Sequence, residues 1–265
     1  MHDSAERAIA LYRVVGDELG AAYALRSLAY SLLQMGKLDE GNVVINRAIA
    51  AFRDRKDDVG VASCLGLQGV SAYIQGDFAL GRRYYVKAVA ACKALGDELA
   101  TADVLGNFAE LEFADSHPER ALRLVSESLA ITSGGKEMAN RAIDHNNKAA
   151  YAIALGKLDE ARESLREGLR WARLENNSWN ISVALQHLAL IAALQGQVEL
   201  AARLVGYVNE RYESLGLQRE ATEEWAYQKL WSTLRERLTE EQLSALGAEG
   251  VTLSEAWALE SADEF

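Results

Sequence analysis

The residues able to do chemistry are few, and their spacing argues against most of it. The histidines are His2, His117, His145 and His187. No two lie three or four residues apart, the spacing that sets two metal ligands on one helix face. Asp144 and His145 have the composition of a general base with its carboxylate. Neighbours in sequence do not face each other on a helix, so His145 reads as a surface or inter-helix histidine. Glu110, Glu112 and Asp115 make a carboxylate cluster that reads as a solvated helix face. Neither a phosphate loop Gly-x-x-x-x-Gly-Lys-Ser/Thr nor Gly-x-Gly-x-x-Gly after a strand is present, and the Gly-x-Ser-x-Gly elbow is missing too. Cys64 and Cys92 sit among apolar neighbours and read as reduced core residues rather than a disulfide framework. The expectation is a chain with no catalytic residues, no metal and no cofactor: not an enzyme.

What the chain does have is a period. Gln34-Met35-Gly36-Lys37-Leu38-Asp39-Glu40 returns almost unchanged as Leu155-Gly156-Lys157-Leu158-Asp159-Glu160. Gly36, Gly76, Ser116, Gly156 and Gly196 recur every 40 residues, and Gly16, Lys56, Gly96, Lys136, Asn176 and Gly216 interleave on the same period. A fixed period of this size signals a solenoid, and two evenly placed breaks per period signal two helices per unit. Composition agrees: 49% of the 265 residues are hydrophobic and Pro118 is the single proline. The net charge of −11 disfavours direct nucleic-acid binding, which needs Lys and Arg against phosphates. No apolar run approaches the length of a membrane span. The start shows no signal peptide, so the expectation is no membrane partner and a cytoplasmic location.

The expected first helices run over 18–35, 58–75, 98–114, 138–155 and 178–195. The second helices run over 37–54, 77–94, 118–132, 157–174 and 197–215. Before them, 4–15 is an amphipathic helix with Ala8, Leu11 and Tyr12 on one stripe. It falls in register with the second helices, and its own first helix is missing, which is taken as the mark of a chain cut from a longer protein. Ser116 and Glu119 read as a capping box, and Ser133-Gly134-Gly135 as the most mobile inter-repeat loop. Within each unit the turn is built on Gly, because a helix C-terminus favours a left-handed residue.

Small residues mark the helix crossings. Ala29, Gly69, Ala109, Ala149 and Ala189 stand seven residues before each turn; Gly41, Gly81, Ala121, Ala161 and Ala201 stand five after it. With the turn text Gly156-Lys157-Leu158-Asp159-Glu160-Ala161, this pattern resembles the tetratricopeptide (TPR) repeat. The usual TPR unit is about 34 residues; the longer period here extends each helix by about one turn, ~5 Å. The resemblance implies an all-α, right-handed superhelical solenoid of antiparallel helix pairs over 1–217, closed by a helical cap over 218–265. It also implies binding along a concave face of first helices. Mapped onto the repeat, that face carries Arg26, Tyr30, Tyr73, Asn107, Glu110, Asn146, Asn147, Gln186 and His187. Asn107 and Asn147 share a repeat position. They either hold the backbone of a bound segment, offering one donor and one acceptor group, or bond to neighbouring helices. The implied partner is a peptide, protein segment or small effector, with an oligomer possible.

After Gly216 the period is expected to stop. One helix is expected over 220–238, and capping boxes Thr239/Gln242 and Thr252/Glu255 open two short ones. Ala201 to Gly206, Leu215-Gly216 and Ala248 to Ala256 resemble the end of large bacterial signal-transduction ATPases, transcription regulators of the LuxR-like and AfsR-like type. That likeness implies the sensor or interaction part of such a regulator. The alternative is a freestanding adaptor that scaffolds a complex.

Overall fold

The computed structural model describes residues 2–133 and 140–263. All regular structure in them is helical. The helices are α1 (His2–Val14), α2 (Glu18–Gln34), α3 (Leu38–Asp54), α4 (Asp58–Ile74), α5 (Phe78–Leu95), α6 (Glu98–Ala114) and α7 (Pro118–Thr132). They continue as α8 (Arg141–Ala154), α9 (Leu158–Leu174), α10 (Ser178–Leu194), α11 (Val198–Ser214), α12 (Ala221–Arg235), α13 (Glu240–Val251) and α14 (Glu255–Asp263). The helix pairs fall where the period sets them, each bound within a few residues of its expected place.

The turns explain this regularity. Gly16, Gly36, Gly76, Gly96, Gly156, Gly196 and Gly216 all have positive φ. So do Lys56, Ser116 and Asn176, non-glycine residues in the same two columns. The left-handed residue turns the chain while the next N–H closes back on the helix, as Asp57 N–H does on Phe52 O at 2.9 Å. Asp17, Asp57, Asp77 and Asp97 then each cap the following helix by accepting an N–H from its first turn. Ser116, with φ of 60°, is therefore a turn residue and not the N-cap of a capping box; His117 stands directly before α7. Lys136, Gly134 and Gly135, expected in a turn and a mobile loop, lie outside the described residues.

The chain divides into two compact units, one of residues 1–115 with 130–134, the other of 116–129 with 135–265. In the first unit α2 packs on α3 and α4 on α5, and α2, α4 and α6 are neighbours in turn. In the second, α8 pairs with α9 and α10 with α11. Both small-residue columns are buried throughout. The packing shows why: a Cβ on Gly69 would come 2.8 Å from the Tyr85 ring, and one on Gly41 2.8 Å from Leu33. Tyr85 fills the space so provided and stacks on Phe108 at 5.5 Å. At Ala149 and Ala189, both with no exposed surface, replacement by Leu is expected to cost about 1–3 kcal/mol through overpacking. A urea titration checks this, with unchanged stability placing the crossing elsewhere.

Two local expectations are corrected. Among the described side chains of α1 Ile9 is buried, whereas Leu11 and Tyr12 are exposed. α1 packs on α2 and so covers only a narrow line of its own surface. Glu112 is not on a solvated face. It lies buried beneath Arg82, whose Nε donates to Oε1 at 2.6 Å and whose Nη2 donates to Oε2 at 3.1 Å and to Asp115 Oδ2 at 2.7 Å. Cys64 and Cys92 are free and buried, and burial pushes the Cys64 thiol up to about 12.

The tail does not repeat the earlier arrangement, although α12 and α13 begin within a few residues of where a sixth repeat would start them. α13, not α12, packs along α11. Its glycines permit backbone contact: a Cβ on Gly250 would lie 2.1 Å from Arg203 O, and one on Gly206 2.3 Å from Gly247 O. α12 barely touches α11 and lies instead on α10, reaching α8. Thr239 and Gln242 form the expected capping box. The second expected box does not form as read: Ser254 accepts from Trp257 N–H ahead of α14, while Thr252 ends α13.

Candidate functional site

Of the residues expected on a binding face, Arg26, Tyr30, Tyr73, Asn107 and Glu110 belong to the first unit. Asn146, Asn147, Gln186 and His187 belong to the second.

In the first unit the outer faces of α2, α4 and α6 present an aromatic and polar surface. Tyr23 and Tyr30 are exposed on α2, with half-buried Arg26 between them. The Arg26 guanidinium lies 5.9 Å from the Tyr23 ring centre, and its buried Nε has no hydrogen-bond partner. The Tyr23 hydroxyl donates to Asp57 Oδ2 at 2.9 Å, and Tyr30 accepts from Gln34 Nε2 at 2.9 Å. Burial and the Asp57 bond raise the Tyr23 phenol above its ordinary value. Tyr73 is half-buried against Phe78, with ring centres 6.4 Å apart. Asn107 is exposed on α6, its Nδ2 donating to Asp103 O at 3.1 Å along its own helix. Glu110, one turn on, is half-buried. The row offers phenol rings, an amide and both signs of charge. It can hold an extended or helical segment by stacking and hydrogen bonds.

The second unit differs at the same repeat positions. Asn146, Gln186 and His187 are buried and Asn147 nearly so. Asn146 Nδ2 donates to Asn180 O at 3.0 Å, and its buried Oδ1 has no partner. Asp144 accepts from Ser128 Oγ at 2.6 Å, while His145 Nδ1 lies 3.3 Å from Ser164 Oγ, so the adjacent pair serves two different neighbours. Burial lowers the His145 imidazole to about 4.

Gln186 is spanned by the tail. Its Nε2 donates to Glu223 O at 2.8 Å, and its Oε1 accepts from Arg219 Nε at 2.7 Å. Arg219 also donates from Nη2 to Asn209 Oδ1 at 2.7 Å. Its guanidinium lies between the rings of Tyr212 and Tyr227, 4.2 and 3.8 Å from their centres. The Tyr212 hydroxyl donates to Glu223 Oε2 at 3.1 Å, and the Glu220 N–H donates to the same oxygen. Burial is the main reason the Glu223 carboxyl rises to about 7. These tail residues are missing from the sequence-based site. The signal available was Arg219 between two tyrosines in sequence, but only the fold joins it to Gln186.

No protein-family model and no curated protein sequence matches the chain. Solved structures do match it in shape. The nearly identical TPR-like repeats of a P. anserina protein are 15% identical, with a TM-score of 0.58 over 73% of this chain and 95% of that one. Aspartyl phosphate phosphatase F from Bacillus subtilis is 15% identical, with a TM-score of 0.63 over 95% of this chain and 67% of that one. The Rap conjugation gene regulator of plasmid pLS20, solved in complex with the Phr* peptide, is 13% identical, with a TM-score of 0.57 over 96% of this chain and 73% of that one. At such identities the likeness is one of fold: the chain has an all-helical, TPR-like repeat fold. Among the described residues no helix is long and apolar enough to cross a membrane.

Proposed function

We propose that this chain is a non-catalytic binding module whose exposed first-helix face in the first unit holds a peptide or protein segment. The observation that carries the reading is the row Tyr23, Arg26, Tyr30 on α2 with Asn107 on α6: polar and aromatic side chains left exposed or half-buried on helices whose other sides are core. Large aromatic and Arg side chains are the groups that dominate recognition surfaces. The Rap regulator, similar in fold, is solved with a peptide, which supports this class of ligand. Asp103 and Glu110 share the α6 face with Asn107, so a neutral or cationic segment fits better than an anionic one. The finer part of the reading is a place in a larger bacterial transcription regulator, with the solenoid over 1–217 and the cap over 218–265. Its support is the tail resemblance.

The test is selection of peptides from a random displayed library on the immobilised chain, followed by calorimetry. Enriched sequences are expected to be neutral or basic. Tyr30→Ala and Asn107→Ala are each expected to weaken the selected peptide about five- to over a hundredfold. Val86→Ala, on a second helix, should leave it unchanged. No enrichment, or equal binding by all three variants, overturns the reading.

A further inference from the structure

The face of α8 and α10 is covered by this chain's own α12, and the cover has the character of a bound segment rather than of core. In the first unit Tyr23, Tyr30, Asp103 and Asn107 are exposed on α2 and α6. The matching residues of α10 are Val183, Leu190 and His187, and all are buried. On α4 the same columns are half-buried at Ser63 and Leu67 and buried at Val70, so the repeat covers them in part. On α10 the cover is complete, and α12 adds to it by lying on α10 and reaching α8 while making little contact with α11 or α13. It turns inward one amphipathic stripe, Thr222, Glu223, Ala226, Leu230, Thr233 and Leu234.

Two further features set this seat apart from a permanent interface. First, its centre is polar. His187 has no exposed surface and neither ring nitrogen has a partner. Buried polar groups are nearly always satisfied, and leaving one unmade costs free energy that water would restore on opening. Second, the N-terminal end hangs largely on one side chain: Arg219 bonds Gln186 and Asn209 and lies between the Tyr212 and Tyr227 rings.

We propose that the α8–α10 face is a second helix-binding site, occupied at rest by α12 as a displaceable internal ligand. The external partner is an amphipathic helix of the same chemistry: an Arg just ahead of its first turn, and a stripe of small residues and leucine. This site is separate from the first-unit face and does not depend on how that face is read.

The test uses the full chain and a fluorescent synthetic peptide of residues 217–237. Arg219→Ala removes both grip bonds from a half-buried side chain. It is expected to speed amide exchange in α12 at least tenfold with α11 and α13 unchanged, and to tighten binding of the peptide at least tenfold over the parent. Arg219→Lys keeps the charge without the fork and is expected to fall between the two; it serves as the readout if the alanine variant does not fold. Tyr30→Ala should leave binding of this peptide unaltered. Exchange of α12 in step with α10 and α11 in parent and variants, or faster exchange with no gain in peptide binding, overturns the proposal.

Discussion

Replacing Arg82 with Ala is expected to cost about 3 kcal/mol of stability, near the low end of the range for breaking a buried ion pair. Glu112 retains only 2% of its side-chain exposure, while Arg82 and Asp115 each retain 29%. The guanidinium spans both carboxylates with short bonds, and they in turn hold it firmly charged. Without it, the Glu112 carboxyl loses the fork that holds it in a place water reaches poorly, one helical turn from Asp115. The cost therefore comes from what is left behind more than from the bond removed. A double variant, Arg82→Met with Glu112→Met, tests that logic. It fills similar volume and leaves no buried charge, so its midpoint in a urea titration should lie much closer to the parent than that of Arg82→Ala. Equal losses in both would mean that Arg82 contributes by packing its stem.

Acid should destabilise the chain through His187. Burial alone lowers this imidazole from its ordinary 6.5 to about 4. Between those values the unfolded chain takes up a proton that the folded one refuses, so stability falls as pH drops through that window. The full loss is on the order of 3 kcal/mol, reached at about pH 4 and absent above about pH 6.5. His145 is shifted the same way for the same reason. Glu223 opposes both: its carboxyl sits at about 7, so the folded state holds its proton more tightly and gains stability as pH falls from 7 towards the ordinary carboxylate range. The net profile mixes all three, and a comparison isolates one. Urea midpoints at pH 7 and pH 4.5 should separate less for His187→Leu than for the parent, by on the order of 2–3 kcal/mol. Identical pH slopes would show that His187 keeps its proton acceptor in contact with water.

The turns made the helices legible. A residue such as Lys56 gives no local sign of a left-handed backbone, yet its place in a 40-residue column does. Ser116 shows the limit of local reading, since its spacing from Glu119 suggested a cap while the column required a turn. Glu112 was hidden for a related reason: its partner Arg82 lies 30 residues away, beyond any helical spacing rule. The exposure of Tyr23, Tyr30 and Asn107 was legible from repeat position, although Val70, in the column of Tyr30, is buried. Exposure was not legible in the second unit, because α12 crosses to α10 and α8 in place of the α11 contact a sixth repeat would make. The stretch from Ala201 to Gly206 carried a sign of this. Gly206 leaves room for α13 at α11, and with that place filled α12 settles elsewhere.

That crossing also sets an order of events during synthesis. Apart from the tail, helices in each unit touch partners close in sequence, and chains rich in local contacts fold quickly. α8 and α10 can thus pair with α9 and α11 while the rest is still being made. α12 leaves the ribosome later and must close a loop back across helices already in place. In the interval the apolar side of α10, with Val183 and Leu190, faces solvent or whatever meets it first. Such exposure is the usual route to misassembly in repeat proteins. The face that α12 later closes is thus the part of the second unit left open longest during synthesis.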